Sequence, residues 1–240
     1  MIKLSNRLQI VYDMVDVCDT VADVGCDHGY LSMALIENGI AKRAIAMDVN
    51  KGPLQVAKEN VLAANLADRF DFRLSDGVAA LSANEAQVIC ICGMGGALIK
   101  RIMDAGLAVL KEASSIIIEP QSEYYPLRKF LMDSGFVIDD ETLTTEENKI
   151  YPIIKLHYEI DSSKRVSYED YELEYGPWVI KNNPELLTTL LNKNSLEYQE
   201  IISNLKSRLE TSKGSEAIEK RIGELTYQLE LIDKVKNTIK

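Results

Sequence analysis

The sequence predicts an α/β protein: a mostly parallel sheet with one antiparallel strand, followed by a C-terminal α-helical coiled-coil hairpin. Three observations carry that expectation. Short apolar runs alternate with amphipathic stretches from residue 20 to residue 134, the pattern of repeated βα units. Glycines follow two of those runs, at Gly25 and Gly29 and again at Gly93, Gly95 and Gly96. Near the end, Ile218, Ile222, Leu225, Leu229, Ile232, Val235 and Ile239 recur at steps of four and three, the stripe of a coiled coil.

Leu4 to Val17 has the apolar spacing of a helix and carries Arg7, which is either a ligand for a substrate phosphate or carboxylate or a solvated charge. Val21, Ala22 and Val24 then form a short buried strand. It turns through Asp23-x-Gly25-x-x-x-Gly29 into a helix over Tyr30 to Asn38. Such a corner binds nucleotides, because bare glycine backbone lets a ligand approach and the helix N-terminus faces it. G-x-G-x-x-G, the pyrophosphate spacing, is absent, which argues against a nicotinamide dehydrogenase. Carboxylates at Asp23 and Asp27 suit a ligand with a cationic end and no phosphate. S-adenosylmethionine, with its sulfonium and ammonium groups, is such a ligand; a plain strand-to-helix turn is the alternative.

Ala44 to Asp48 reads as the second strand, and Asp48 stands about 20 residues past the corner, where an acid meets ribose hydroxyls. Lys51-Gly52-Pro53 opens a helix through Asn65. Phe70 to Leu74 alternates as a third strand, with Ser75-Asp76-Gly77 at its end. Asp76 is placed to accept an adenine amino hydrogen, or Asp76-Gly77 is only a turn. Val88 to Cys92 is the fourth strand, closed by Gly93-Met94-Gly95-Gly96 at the mouth where open sheets bind ligands, and a helix to about Leu110 follows. Ser115 to Gln121 is the fifth strand; Tyr124 to Ser134 is a helix stopped by Gly135. Phe136 to Thr145 and Ile150 to Ile160 follow as strands with no helix between them, hence the one antiparallel strand.

Composition shifts at Asp161-Ser162-Ser163, which divides the chain into a ligand-binding domain, 1–162, and a helical coiled-coil domain, 163–240. In the second, Glu174 to Trp178 resembles a docking turn. Asn183-Pro184 starts a helix to about Leu209, and Thr211 to Ser215, with Gly214, breaks it.

The net charge of −10 argues against loose nucleic-acid binding but leaves room for a local basic patch. Residues 1–163 carry −9 of it and residues 164–240 only −1, so the tail repels a polyanion least. No apolar run reaches the roughly 18–20 residues of a membrane span, and the N-terminus lacks a signal-peptide core, so a cytoplasmic protein is expected. Cys18, Cys26, Cys90 and Cys92 have no Cys-x-x-Cys pair or nearby His; buried free thiols are expected rather than a metal site. A monomer or weak dimer is expected.

Leu4-Ser5-x-Arg7-Leu8, Ala22 to Leu31, Gly52-Pro53, Asp76-Gly77, Gly93-Met94-Gly95-Gly96 and Glu119-Pro120-Gln121 together resemble the bacterial tRNA (adenine-22-N1)-methyltransferase family, TrmK. The resemblance covers residues 1–160 and extends to the tail. It implies a Rossmann-like class I methyltransferase sheet, S-adenosyl-L-methionine as cofactor, and methyl transfer to N1 of adenosine 22 in a tRNA substrate. Where many amino-methylating enzymes carry D/N-P-P-Y/F, this chain has Gly93-Met94-Gly95-Gly96; Glu119-Pro120-Gln121 stands where a Gln-Pro-Asn type sequence is expected.

The implied cofactor residues are Asp23, Gly25, Asp27, His28, Gly29 and Tyr30 at the first corner, and Asp48 with Val49 at the second strand. Asp76 and Gly77 follow at the third strand, and Gly93, Met94 and Gly95 at the fourth. Implied substrate contacts are Arg7, Tyr30, Met94, Pro120 and Gln121. Asp27 and Glu119 are the candidate catalytic carboxylates, because methylation leaves the adenine ring cationic. A methyltransferase for another RNA or a small molecule, and a non-catalytic scaffold, are the rival readings.

Overall fold

The computed structural model describes residues 2–211 and 216–239, and its contacts divide the chain into two units, Met1–Ser167 and Tyr168–Lys240. The first unit is built on a seven-stranded sheet. In chain order the strands are β1 (Cys18–Val24), β2 (Ala41–Asp48), β3 (Phe70–Leu74), β4 (Val88–Met94), β5 (Ser115–Pro120), β6 (Phe136–Glu146) and β7 (Lys149–Tyr158). In space they run β3-β2-β1-β4-β5-β7-β6. β1 to β5 pair in parallel, and β7 is antiparallel to both of its neighbours.

The central strands explain their own burial. Val88 to Ile91 and Ile116 to Ile118 are continuous β-branched or small apolar runs, buried on both faces as parallel strands are. The helices of this unit are α1 (Asn6–Met14), α2 (Tyr30–Glu37), α3 (Lys51–Ala63), α4 (Gly96–Ala105), α5 (Leu107–Leu110) and α6 (Tyr124–Ser134). The strand order reverses between β1 and β4, so their C-terminal ends diverge into a crevice.

Three details differ from the sequence expectation. α1 begins after Ser5, whose Oγ accepts from the Leu8 amide, and ends at Met14; Val15 is already extended, as a β-branched residue before a strand prefers. The helix after β4 breaks at Gly106, where a Cβ would collide with the Val78 side chain. The expected docking turn is instead two short helices, α7 (Asp170–Tyr175) and α8 (Pro177–Asn182), joined at Gly176 with Pro177 opening the second.

The second unit continues with α9 (Pro184–Thr211) and α10 (Glu216–Thr238), which pack on each other. Of the expected stripe, Leu225, Ile232 and Val235 are buried and the other four half-buried; Leu231 is buried too, a face wider than a coiled-coil seam. The expected break at Thr211 to Ser215 lies, for residues 212–215, outside the described residues.

Candidate functional site

Four strand ends build one crevice. At the end of β1, the amides of Gly25 and Cys26 donate to the Met47 carbonyl at 2.8 and 2.9 Å, which carries the chain across the tip of β2. Gly25 sits at φ +74°, and a Cβ there would meet the methyl of Met94. Only glycine takes that turn without strain. At the end of β2, Asp48 is buried, and its Oδ1 accepts from the Asn50 amide at 2.8 Å. Ser75, Asp76 and Gly77 follow β3, and the Ser75 amide donates to the Asp48 carbonyl. In β4 the register shifts between Cys92 and Met94, and Gly93 takes φ +75° at that irregularity.

These ends line two adjoining hollows of about 540 and 180 Å³. Gly25, Asp27, Gly93 and Arg7 face both. Asp48, Val49, Asp76, Gly77, Met94 and Gln121 line the larger; Asp23, His28, Tyr30 and Glu119 line the smaller. Gly29, Gly95 and Pro120 line neither. The two glycines are the N-caps of α2 and α4, and Pro120 is buried as the last residue of β5.

Charge in the crevice is dominated by carboxylates. Burial pushes Asp23 up to about 6, against the Ser32 hydroxyl that donates to it and with a further push from Asp48. Glu119 is 2% exposed and also raised by burial, although Arg7 and the Gly93 amide oppose the shift. Asp27 is exposed at φ +46°, with Oδ2 at 3.5 Å from Nε2 of His28, whose ring stacks on Tyr30 at 5.5 Å.

Arg7 is neither a free ligand nor a solvated charge. Its Nη1 donates to Glu119 at 3.1 Å, its Nε donates to Glu146 at the end of β6, and its guanidinium lies 4.7 Å from the Tyr151 ring centroid. Asp76 is paired with Arg101 of α4 at 3.3 Å, both well exposed, so any adenine amino group would share that carboxylate. Sequence reasoning missed Ser32, Cys92, Leu98, Arg101, Glu146 and Tyr151. The last two sit on the final hairpin with no local motif, and only the fold brings them to residue 7. Among the described residues no three His, Cys, Asp or Glu side chains are grouped to hold a metal ion, and all four cysteines are free thiols.

Bare backbone and surplus negative charge, beside the buried carboxylate of Asp48, fit a cationic nucleoside. They do not fit a phosphate-bearing one, which would meet Asp23, Asp27 and Asp48.

Comparison with known proteins is consistent with that chemistry. The family model for TrmK, tRNA (adenine(22)-N(1))-methyltransferase, matches residues 21–233. The tRNA (adenine(22)-N(1))-methyltransferase of Bacillus subtilis (strain 168) is 29% identical over 238 residues, covering 98% of this chain and 97% of its own. The crystal structure of B. subtilis TrmK superposes with a TM-score of 0.85 at 28% identity, covering 98% of this chain and 99% of that one. A Streptococcus pneumoniae protein solved in complex with S-adenosyl-L-methionine superposes at 0.80 with 30% identity, over 97% and 99% of the two chains.

Proposed function

The chain belongs to the TrmK family of tRNA (adenine(22)-N(1))-methyltransferases, and from that premise we propose that its strand-tip crevice methylates N1 of adenosine 22 in tRNA. One observation carries the reading: Gly25, Asp48, Asp76 and Gly93, from four different strands, line a single hollow of about 540 Å³. That volume lies within the roughly 300–1,000 Å³ of small-molecule sites.

S-adenosyl-L-methionine supplies the methyl group, which leaves its sulfonium as the adenine N1 lone pair forms the new bond. The residues of the chain do the rest. Asp48 accepts from the ribose hydroxyls, a charge-assisted contact that a neutral side chain would not match. Asp23 and Asp27 supply negative charge for the ammonium and sulfonium groups. Asp76 and Gln121 border the adenine end, with Val49 and Leu98 as its apolar walls.

Adenine N1 is a nucleophile through its in-plane lone pair, so alignment and exclusion of water matter more than a strong base. Its edge is the Watson–Crick edge, so the base must leave its stack to reach the crevice. Tyr30, 42% exposed beside His28, is the aromatic surface on which such a base can stack. Methylation leaves the ring cationic, and Asp27 at the junction of the two hollows favours that charge. The helical domain expected over 163–240 is accessory to the crevice, and a tRNA substrate makes the cytoplasm the expected location. Among the described residues no helix is long and apolar enough to cross a membrane.

Mass spectrometry of nucleosides from unmodified tRNA, incubated with the protein and S-adenosyl-L-methionine, tests the reading. The expected product is one 1-methyladenosine per tRNA at position 22, lost when A22 is replaced. Methylation of a metabolite pool but not of tRNA would favour the small-molecule rival instead.

A further inference from the structure

Glu119 is the most buried acid facing the crevice and one of the two candidate catalytic carboxylates. Its surroundings argue for a different job. One oxygen, Oε2, accepts from the Gly93 amide at 2.8 Å and lies 3.3 Å from Nη1 of Arg7; the other, Oε1, lies 3.1 Å from the same nitrogen. These three contacts occupy most of the carboxylate's acceptor sites, and its burial leaves little of it open to a substrate. The atom it holds matters more. Gly93 faces both hollows, stands at φ +75°, and interrupts the β4 register. Its amide is held by the Glu119 side chain of β5, at a break in the backbone ladder between the two strands.

Arg7 completes the arrangement from outside the sheet. It stands on α1, packs over Tyr151 of β7, and shares its charge with Glu146 of β6. We propose that Arg7 is a positioning residue that keeps Glu119 ionised, so that Glu119 holds the Gly93 peptide in the conformation that receives S-adenosylmethionine. Neither side chain transfers a proton or grips tRNA phosphate. The inference rests on the methyltransferase reading.

The charged groups around Glu119 are few. Arg7 comes from α1 and Glu146 from β6. Cys92 of β4 is held as a neutral thiol, its ionisation pushed well above the ordinary value by burial, by Cys90 and by Glu119. Asp23 of β1 lines the same hollow and titrates at about 6. Once Arg7 is gone, burial and the Glu146 charge both favour the protonated form of Glu119, and a carboxylic acid binds the Gly93 amide less well.

The test measures S-adenosylmethionine affinity by calorimetry from pH 5 to pH 9, and 1-methyladenosine formation in parallel. In Arg7→Met the affinity is expected to fall about tenfold at pH 7 and to recover progressively as pH is raised, as Glu119 ionises unaided. Arg7→Lys, which restores the charge, should recover most of the affinity at pH 7. Glu119→Gln should lower affinity at every pH, and Arg7→Met/Glu119→Gln should match it, because the second change then has nothing to act on. Glu119→Gln leaves no buried charge and is the variant whose folding is safest, with Arg7→Lys the second. An Arg7→Met profile parallel to the wild type, or a double variant whose loss is the product of the two single losses, overturns the proposal. So does an Arg7→Met enzyme that binds the cofactor normally and loses only tRNA affinity. Failure of the methyltransferase reading looks different: the wild type itself would bind no cofactor and form no 1-methyladenosine.

Discussion

Two arginine–carboxylate pairs in the first unit invite comparison. Arg128 of α6 and Glu141 of β6 meet at 2.7 Å with side chains only 1% and 0% exposed, and neither lines either hollow of the crevice. Arg7 and Glu119 meet at 3.1 Å, with Arg7 24% exposed and a second acid, Glu146, on the same guanidinium. The sealed pair clamps a helix to a strand. The open pair carries more negative than positive charge and ends on a backbone amide at the crevice. Buried charge of the same chemistry thus serves stability in one place and ligand geometry in the other, and the surplus acid beside a mobile ligand marks which is which.

The comparison breaks most visibly at the sealed pair. Arg128→Met should cost about 3–5 kcal/mol in urea unfolding, because it breaks an ion pair whose side chains are almost wholly buried. The folded fraction should bind S-adenosylmethionine as the wild type does. A matching loss of affinity would mean the two pairs are not distinct in role.

The next effect belongs to Asp23. Its folded value is raised from 3.8 to about 6, so its contribution to stability is full below 3.8 and lost as pH rises through about 6. Asp23→Asn should remove that trend, worth about 2 kcal/mol, in melts compared at pH 4 and pH 7. A bound cation favours the carboxylate, so cofactor affinity should rise severalfold between pH 5 and pH 7 in the wild type and stay level in the variant.

Asp48→Ala should weaken cofactor binding tenfold to a hundredfold, about 1.4–2.8 kcal/mol, by calorimetry. An unchanged affinity would remove the ribose role. The smallest effect is expected at Asp76, whose pair with Arg101 is about two-thirds exposed on both sides. Asp76→Ala should change stability by less than about 1 kcal/mol and cofactor affinity only threefold to tenfold.

Much of the fold was legible in the chain because its signals are local. The apolar runs at Val88 to Ile91 and Ile116 to Ile118, the Gly135 stop and the helix-free pair of last strands each announce an element within a few residues. The cofactor side was legible for the same reason: Asp23, Gly25, Asp48, Asp76 and Gly93 sit at strand ends, and parallel strands bring such ends together. The Arg7 cluster was not, since its members are 112 and 139 residues from Arg7, and no periodicity links positions that far apart. Gly29 and Gly95 illustrate the opposite limit. Both belong to glycine motifs, yet each starts a helix and faces neither hollow, a distinction that needs coordinates.

That long separation has a consequence for how the protein is made. A ribosome delivers Arg7 139 residues before its last acidic partner, which arrives with the closing hairpin of the sheet. Until then Arg7 and Glu119 are present, but the guanidinium lacks the Glu146 and Tyr151 contacts that hold it in place. Cofactor capture should therefore come late in synthesis, after residues 136–158 have left the exit tunnel, and nascent chains arrested earlier should retain little labelled S-adenosylmethionine.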